Sequence, residues 1–231
     1  MGVSRLHPQR ASTNMDWAPK RPVPVLPLPG VVMFPNGEMS LRVFELRYRT
    51  MVRDALSSER LVALATLSPG WEQDAQGSPP FHEFGCVARF EEVEWLPNDH
   101  YDLRVRGTMR VHFGRVVREF PYRACTVETM PDAPYTESDP LATMARQDLL
   151  TERARLAPLG LDVWLAPPVF DATAPLSIVV GTLATAARIS ADEKLALLAE
   201  DNVVERARLL RARLRLLGVL GPPPPPALGR N

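Results

Sequence analysis

PVPVLPLPGVVMFPNGEMSLRVFELRYRTMVRDAL, residues 22–56, decides the fold. Val23, Val25, Leu26 and Leu28 predict a first strand. The prolines at 22, 24, 27 and 29 remove ladder donors, so an edge or barrel-rim position is expected. Pro29-Gly30 and Pro35-Asn36-Gly37 read as turns, each pairing a residue of fixed φ with one that tolerates positive φ. Val31–Phe34 and Met39–Phe44 are apolar runs of strand length. At Glu45 the period changes from two to about 3.6. Tyr48, Met51, Val52, Ala55 and Leu56 then form one apolar stripe, with Leu46, Arg49, Thr50, Arg53 and Asp54 outside it.

Working outward, Arg60–Leu67 predicts another strand, and Ser68–Pro80 a loop carrying Trp71. Pro97-Asn98-Asp99 reads as a hairpin turn between Val87–Leu96 and Tyr101–Val105. On the second of these strands Tyr101, Leu103 and Val105 alternate with Asp102, Arg104 and Arg106, the pattern of a half-buried strand. Gly85 and Gly107 inside strand patterns indicate bulges or close backbone approaches. Val111–Val117 and Tyr122–Met130 supply two further strands.

Helical signals follow. Asp139-Pro140 is a start signal for a helix over 141–156, and 174–189 reads as a second. Ser190-Ala191-Asp192-Glu193 is a capping box, and Asn202 with Glu205 repeats the device. Val203, Ala207, Leu210, Leu214 and Leu217 form one stripe on the last helix. Five prolines from Pro222 force a polyproline II tail. The expected division is a flexible leader over 1–21, a β part over 22–131, a helical part over 138–218 and a tail over 219–231.

Composition narrows the function. The 231 residues carry 27 basic and 27 acidic side chains, a formal net charge of zero. That balance argues against a nucleic-acid or anionic-membrane surface. Leu176–Ala187 is the longest largely apolar run, well short of the ~20 residues a membrane-spanning helix needs. Cys86 and Cys125 lie too far apart in sequence to form a framework, and read as small core residues. A cytoplasmic protein is expected. The only lysines are Lys20 and Lys194, and neither follows a glycine, so the GxxxxGK[ST] phosphate loop is absent. Lys194 is expected on a solvated helix position. No HExxH, paired CxxC or GxSxG occurs, and neither a metal nor a cofactor is expected.

Two segments carry a family resemblance. Leu26-Pro27-Leu28, Val31-Val32-Met33-Phe34-Pro35 and Phe44-Glu45-Leu46-Arg47-Tyr48-Arg49 resemble the opening of the LON substrate-binding domain, the N-terminal domain of the ATP-dependent Lon protease. His82-Glu83-Phe84-Gly85-Cys86-Val87-Ala88 and Arg106-Gly107-Thr108-Met109-Arg110 resemble its later strands. Leu46 stands where the family often has proline. The resemblance implies an α+β fold: a PUA-like β pseudobarrel with one inserted helix, followed by an α-helical subdomain. It also implies a stand-alone, non-catalytic module that binds an unfolded or specific protein partner, as an adaptor or regulator in protein quality control.

Met33, Phe34, Trp71 and Trp95, large apolar residues near turns, are the candidate polypeptide contacts. Pro35, Phe44, Glu45, Arg47, Tyr48, Gly85, Gly107 and Arg110 match family motifs and are expected to be structural. Glu45 suits a helix N-terminus, Arg47 is expected to pair with a strand carboxylate, and Phe44 with Tyr48 to lock the helix to the barrel. Two alternatives stay open. One is RNA binding through Arg104, Arg106, Arg110, Arg115, Arg118 and Arg123 with Arg206, Arg208, Arg211, Arg213 and Arg215. The other is a small-molecule binder or hydrolase in a cleft between barrel and helices.

Overall fold

The computed structural model describes residues 19, 21–75, 77–157 and 173–220. The expected leader and tail lie almost entirely outside these residues. Six strands form one mixed sheet: β1 (Val23–Leu28), β2 (Glu38–Val43), β3 (Leu61–Leu67), β4 (Phe81–Leu96), β5 (His100–Arg118) and β6 (Ala124–Thr129). Their order is β2-β5-β4-β3-β1-β6, and β6 also pairs with β5. Hydrogen bonding therefore returns on itself through five strands and leaves β2 outside the ring. The β1–β6 ladder joins only Val23 to Cys125 and Pro24 to Ala124, and register shifts interrupt the β3–β4, β4–β5 and β5–β6 ladders, so the ring is irregular. Helix α1 (Leu46–Leu56) lies between β2 and β3, and α2 (Pro140–Leu156), α3 (Leu176–Ala186), α4 (Ala191–Ala199) and α5 (Val203–Leu220) follow the sheet.

Of the edge or barrel-rim position that its prolines predict, β1 does not take the edge, since β3 pairs on one side and β6 on the other. The ladders begin and end around the prolines instead. Val25 N–H donates to Arg123 O on the β6 side. By alternation Pro27 also faces that side, beyond the two-residue β1–β6 ladder. Pro24 faces β3 one residue before the β1–β3 ladder begins at Val25.

Residues 31–34 differ from expectation as well. They form no strand, although Val32, Met33 and Phe34 are buried. Two close backbone approaches hold the segment that follows. A Cβ on Gly107 would stand 2.0 Å from Phe34 O, and one on Gly181 would stand 1.8 Å from Pro35 O. Phe34 N–H donates to Thr185 Oγ1 at 3.1 Å, and Thr182 Oγ1 donates to Asn36 O at 3.3 Å. The 34–37 turn is thus clamped between β5 and α3. Val32 and Phe34 pack into the helical core, whereas Met33 packs with α1 and the inner face of the sheet.

Local chemistry explains the helices. Tyr48, Met51, Val52 and Ala55 are buried along α1, as the stripe predicts. Asp139 Oδ1 accepts from Leu141 N–H at 2.7 Å, the Ser190/Glu193 capping box forms, and Asn202 Oδ1 accepts from Val204 and Glu205 N–H. The stripe on α5 is buried from Val203 to Leu217. Lys194 departs from its expected solvated position: Nζ donates to Thr185 O at 2.7 Å, near the end of α3. Burial lowers its pKa to about 8.

Candidate polypeptide-binding surface

Three strands stand abreast at one end of the sheet. Tyr101 of β5 is paired with Val43 of β2 and with Trp95 of β4. Beyond Val43 the chain turns at Phe44 and enters α1 at Leu46, while β4 and β5 join through the Pro97–Asp99 turn. Phe44 is 53% exposed, Leu46 66% and Trp95 72%, so three large apolar side chains are left open on this end.

Separate contacts orient Trp95 and Phe44, which lie on opposite faces of the sheet end, since Trp95 pairs with Tyr101 and Phe44 meets the adjacent His100. Trp95 Nε1 donates to Asp99 Oδ1 at 3.2 Å. Asp99 also accepts from Arg49 at 2.9 Å and from Arg53, tying the hairpin tip to α1. The Phe44 ring meets His100 edge-on with centroids 6.3 Å apart. It does not lock onto Tyr48, which is buried on the other side of the turn. Arg47 pairs not with a strand carboxylate but with Glu45, at 2.9 Å, and lies 4.7 Å over the Tyr48 ring. Its remaining donors reach Gly77 O and Ala75 O, fastening the Trp71 loop to the first turn of α1. At Gly85 an added Cβ would stand 2.4 Å from Leu64 O.

The four candidate contacts separate into two pairs. Met33 is 1% exposed and Phe34 0%, so neither meets a partner at the surface. Phe34 is covered by α3, whose Thr185 lies 151 positions later, and Met33 by α1 and the sheet. Trp95 is exposed, and Trp71 is half-buried on a 3-10 turn. Sequence reasoning passed over Phe120, which is 82% exposed beside Pro121 where β5 turns into β6.

An open cleft of about 450 Å³ lies elsewhere, where the end of α1 meets the start of β1 and the end of β5. Val23, Leu61 and Val117 supply apolar walls, and Asp54, Arg118 and Tyr122 a polar side. Tyr122 donates to Asp54 Oδ2 at 2.6 Å, and Arg118 sits 3.9 Å over its ring. Burial, together with the hydrogen bond to Asp54, raises the phenol to about 12. Burial likewise pushes the Cys86 thiol to about 12, which leaves it unreactive. Among the described residues no three His, Cys, Asp or Glu side chains gather to hold a metal ion.

The arginine faces are largely committed. Arg104 and Arg106 pair with Glu38, Glu92 and Glu91, and Arg211, Arg213 and Arg215 with Asp148, Glu193 and Glu152. Arg110 and Arg206 are 2% and 3% exposed, so they belong to no basic surface.

The sequence profile of the ATP-dependent protease La (LON) substrate-binding domain matches residues 22–215. The chain belongs to the LON substrate-binding domain family. It is 28% identical over 116 residues to Lon protease 2 of Myxococcus xanthus, covering 50% of this chain and 14% of that protein. Against the Lon protease of Chloroflexus aurantiacus identity is 34% over 141 residues, covering 57% and 17%. Lon protease 1 of Herpetosiphon aurantiacus is 25% identical over 206 residues, covering 86% and 25%. The chain therefore spans a quarter or less of these relatives. Its LON fold is similar to that of the Lon N-terminal domain protein from Xanthomonas campestris, with a TM-score of 0.60 at 24% identity, covering 83% of this chain and 98% of the other. The N-terminal domain of the Mycobacterium avium complex Lon protease gives 0.59 at 20%, covering 84% and 98%. Among the described residues no helix is long and apolar enough to cross a membrane.

Proposed function

We propose that this LON domain binds unfolded polypeptide or a specific protein partner without cleaving it, as an adaptor or regulator in protein quality control. The observation that carries this reading is the exposed Trp95, oriented by Asp99, with Phe44 and Leu46 also open at the same end of the sheet, in a family described by substrate binding. Apolar and aromatic anchors ringed by charge are the usual chemistry of a protein-binding surface. Trp71, on its loop tied to the same end of α1, extends the surface. We read the closed ring of pairings as the PUA-like pseudobarrel of the β subdomain over 22–131, with the helical subdomain over 138–218 covering the 31–37 segment. A cytoplasmic setting is consistent with the free thiols of Cys86 and Cys125.

The arginine pairings favour protein over RNA as ligand, because those cations already face carboxylates. Substituting alanine for Trp95 and for Trp71 tests the reading. The Trp95 variant is expected to lose affinity for a reduced, carboxymethylated unfolded protein while retaining its unfolding midpoint. Unchanged affinity in both variants would contradict the proposed surface.

A further inference from the structure

We propose that β2 is a docking edge at which an extended, unfolded polypeptide adds as a further strand. This proposal rests on the polypeptide-binding reading and names the form in which the ligand is held. β2 stands at the end of the strand order and pairs only with β5. Every second residue of an edge strand turns its N–H and C=O away from its partner. Among the described residues, no backbone hydrogen bond outside the ladders involves residues 38–43.

Proteins protect such edges with prolines, charged side chains (lysine above all) or bulges. β2 has no proline, lysine or bulge, and its charged residues are only Glu38 and Arg42. It runs EMSLRV, without proline or lysine, and its six pairs with β5 proceed from Glu38 to Val43 without a register shift. Its two charges are neutralised within the sheet. Glu38 pairs with Arg106 and with Arg104 at 3.8 Å, and Arg42 holds Asp102 through two bonds of 2.7 Å. The edge is therefore regular and electrostatically quiet, unlike the bulged ladders of the ring. At its start, α3 meets Asn36 and Gly37 through Thr182 and Thr185. At its end it leads into Phe44 and Leu46. A segment paired with β2 would run up to Phe44, the exposed residue that follows it.

An edge of alternating donors and acceptors fits a backbone rather than a particular sequence. It therefore selects chains that are extended and unpaired, the property shared by unfolded proteins. Amide hydrogen exchange of the intact protein, with and without saturating carboxymethylated unfolded protein, tests this. Alternate amides within 38–43 are expected to exchange about tenfold more slowly in the complex. A model peptide N-methylated at alternate residues is expected to bind about tenfold more weakly than its unmethylated twin, because several backbone bonds are lost. Polypeptide binding with unchanged exchange in β2 and equal affinity for both peptides would overturn the edge while leaving the binding function standing. If no polypeptide binds, both fail. Protection of 38–43 that appears with protein concentration alone would assign the edge to a second copy of this chain and overturn the proposal.

Discussion

Arg110 on β5 and Arg206 on α5 share one carboxylate oxygen, Asp132 Oδ1, at 2.9 and 2.8 Å. Arg110 also donates to Leu198 O, Glu200 O and Pro131 O, and Arg206 Nε donates to Glu200 O at 3.0 Å. Two buried guanidiniums are thus held by one carboxylate, by Pro131 O and by carbonyls around the end of α4, where the helix dipole is negative, and Arg110 Nε is left without a partner among the described residues. This joint binds the sheet to the helices.

Removing the carboxylate leaves two buried cations facing one another. Asp132→Ala is therefore predicted to cost about 3 kcal/mol of unfolding free energy, the usual size for breaking a buried pair. Arg110→Lys is predicted to fall in the same range, since an ammonium lacks the planar fork that serves several carbonyls at once. Urea midpoints measure both. A wild-type midpoint for Arg110→Lys would show that charge alone suffices.

Gly107 and Gly181 press on the 34–37 turn from opposite sides. A methyl at either position meets a backbone oxygen at about its own bond length from contact, 2.0 and 1.8 Å. Each Gly→Ala change is predicted to cost about 1–3 kcal/mol by overpacking. Gly70, with φ of 84° and nothing within 4 Å, provides the comparison. There alanine bears only the left-handed backbone cost of about 1 kcal/mol. Thermal unfolding of the three variants ranks them.

Lys194 sets an alkaline signature. Its folded pKa of about 8 lies below the unfolded lysine value of about 10.4. Between those values the unfolded chain holds more protons than the folded one, so the stability owed to this residue rises with pH across that window. Below it the penalty for burying the charge is present in full. The stability of the wild type relative to Lys194→Met is accordingly predicted to increase from pH 7.5 to pH 10. The raised thiol of Cys86 and phenol of Tyr122, which act in the opposite direction, are common to both proteins and cancel in the difference. A difference that does not change with pH would contradict the assignment.

What could be read from the chain was local. The caps at Asp139, Ser190 and Asn202, the alternation of Tyr101, Leu103 and Val105, and the α1 stripe involve residues a few positions apart, where side-chain period and hydrogen-bonding reach decide the outcome. What could not be read was decided at long range. Phe34 looks like a surface anchor until α3 covers its turn through Thr185, 151 positions away, and Met33 until α1 and the inner face of the sheet close over it. Lys194 looks solvated until its Nζ finds the end of α3. Arg110 and Arg206 look like members of basic faces until Asp132 lies between them. Within the candidate surface, the exposure of Trp95 was legible from its place beside the Pro97–Asp99 turn, whereas that of Phe44 depends on how β2 hands over to α1.

The most direct measurement is a fluorescence-anisotropy titration of the intact protein and its Phe44→Ala/Trp95→Ala variant. The ligands are a labelled carboxymethylated unfolded protein and a labelled single-stranded RNA, each at two salt concentrations. Polypeptide binding is expected to survive added salt and to weaken by about tenfold or more in the variant, the loss that truncating interface anchors brings. Binding of RNA alone, falling steeply with salt, or polypeptide binding indifferent to both substitutions, would contradict the proposal.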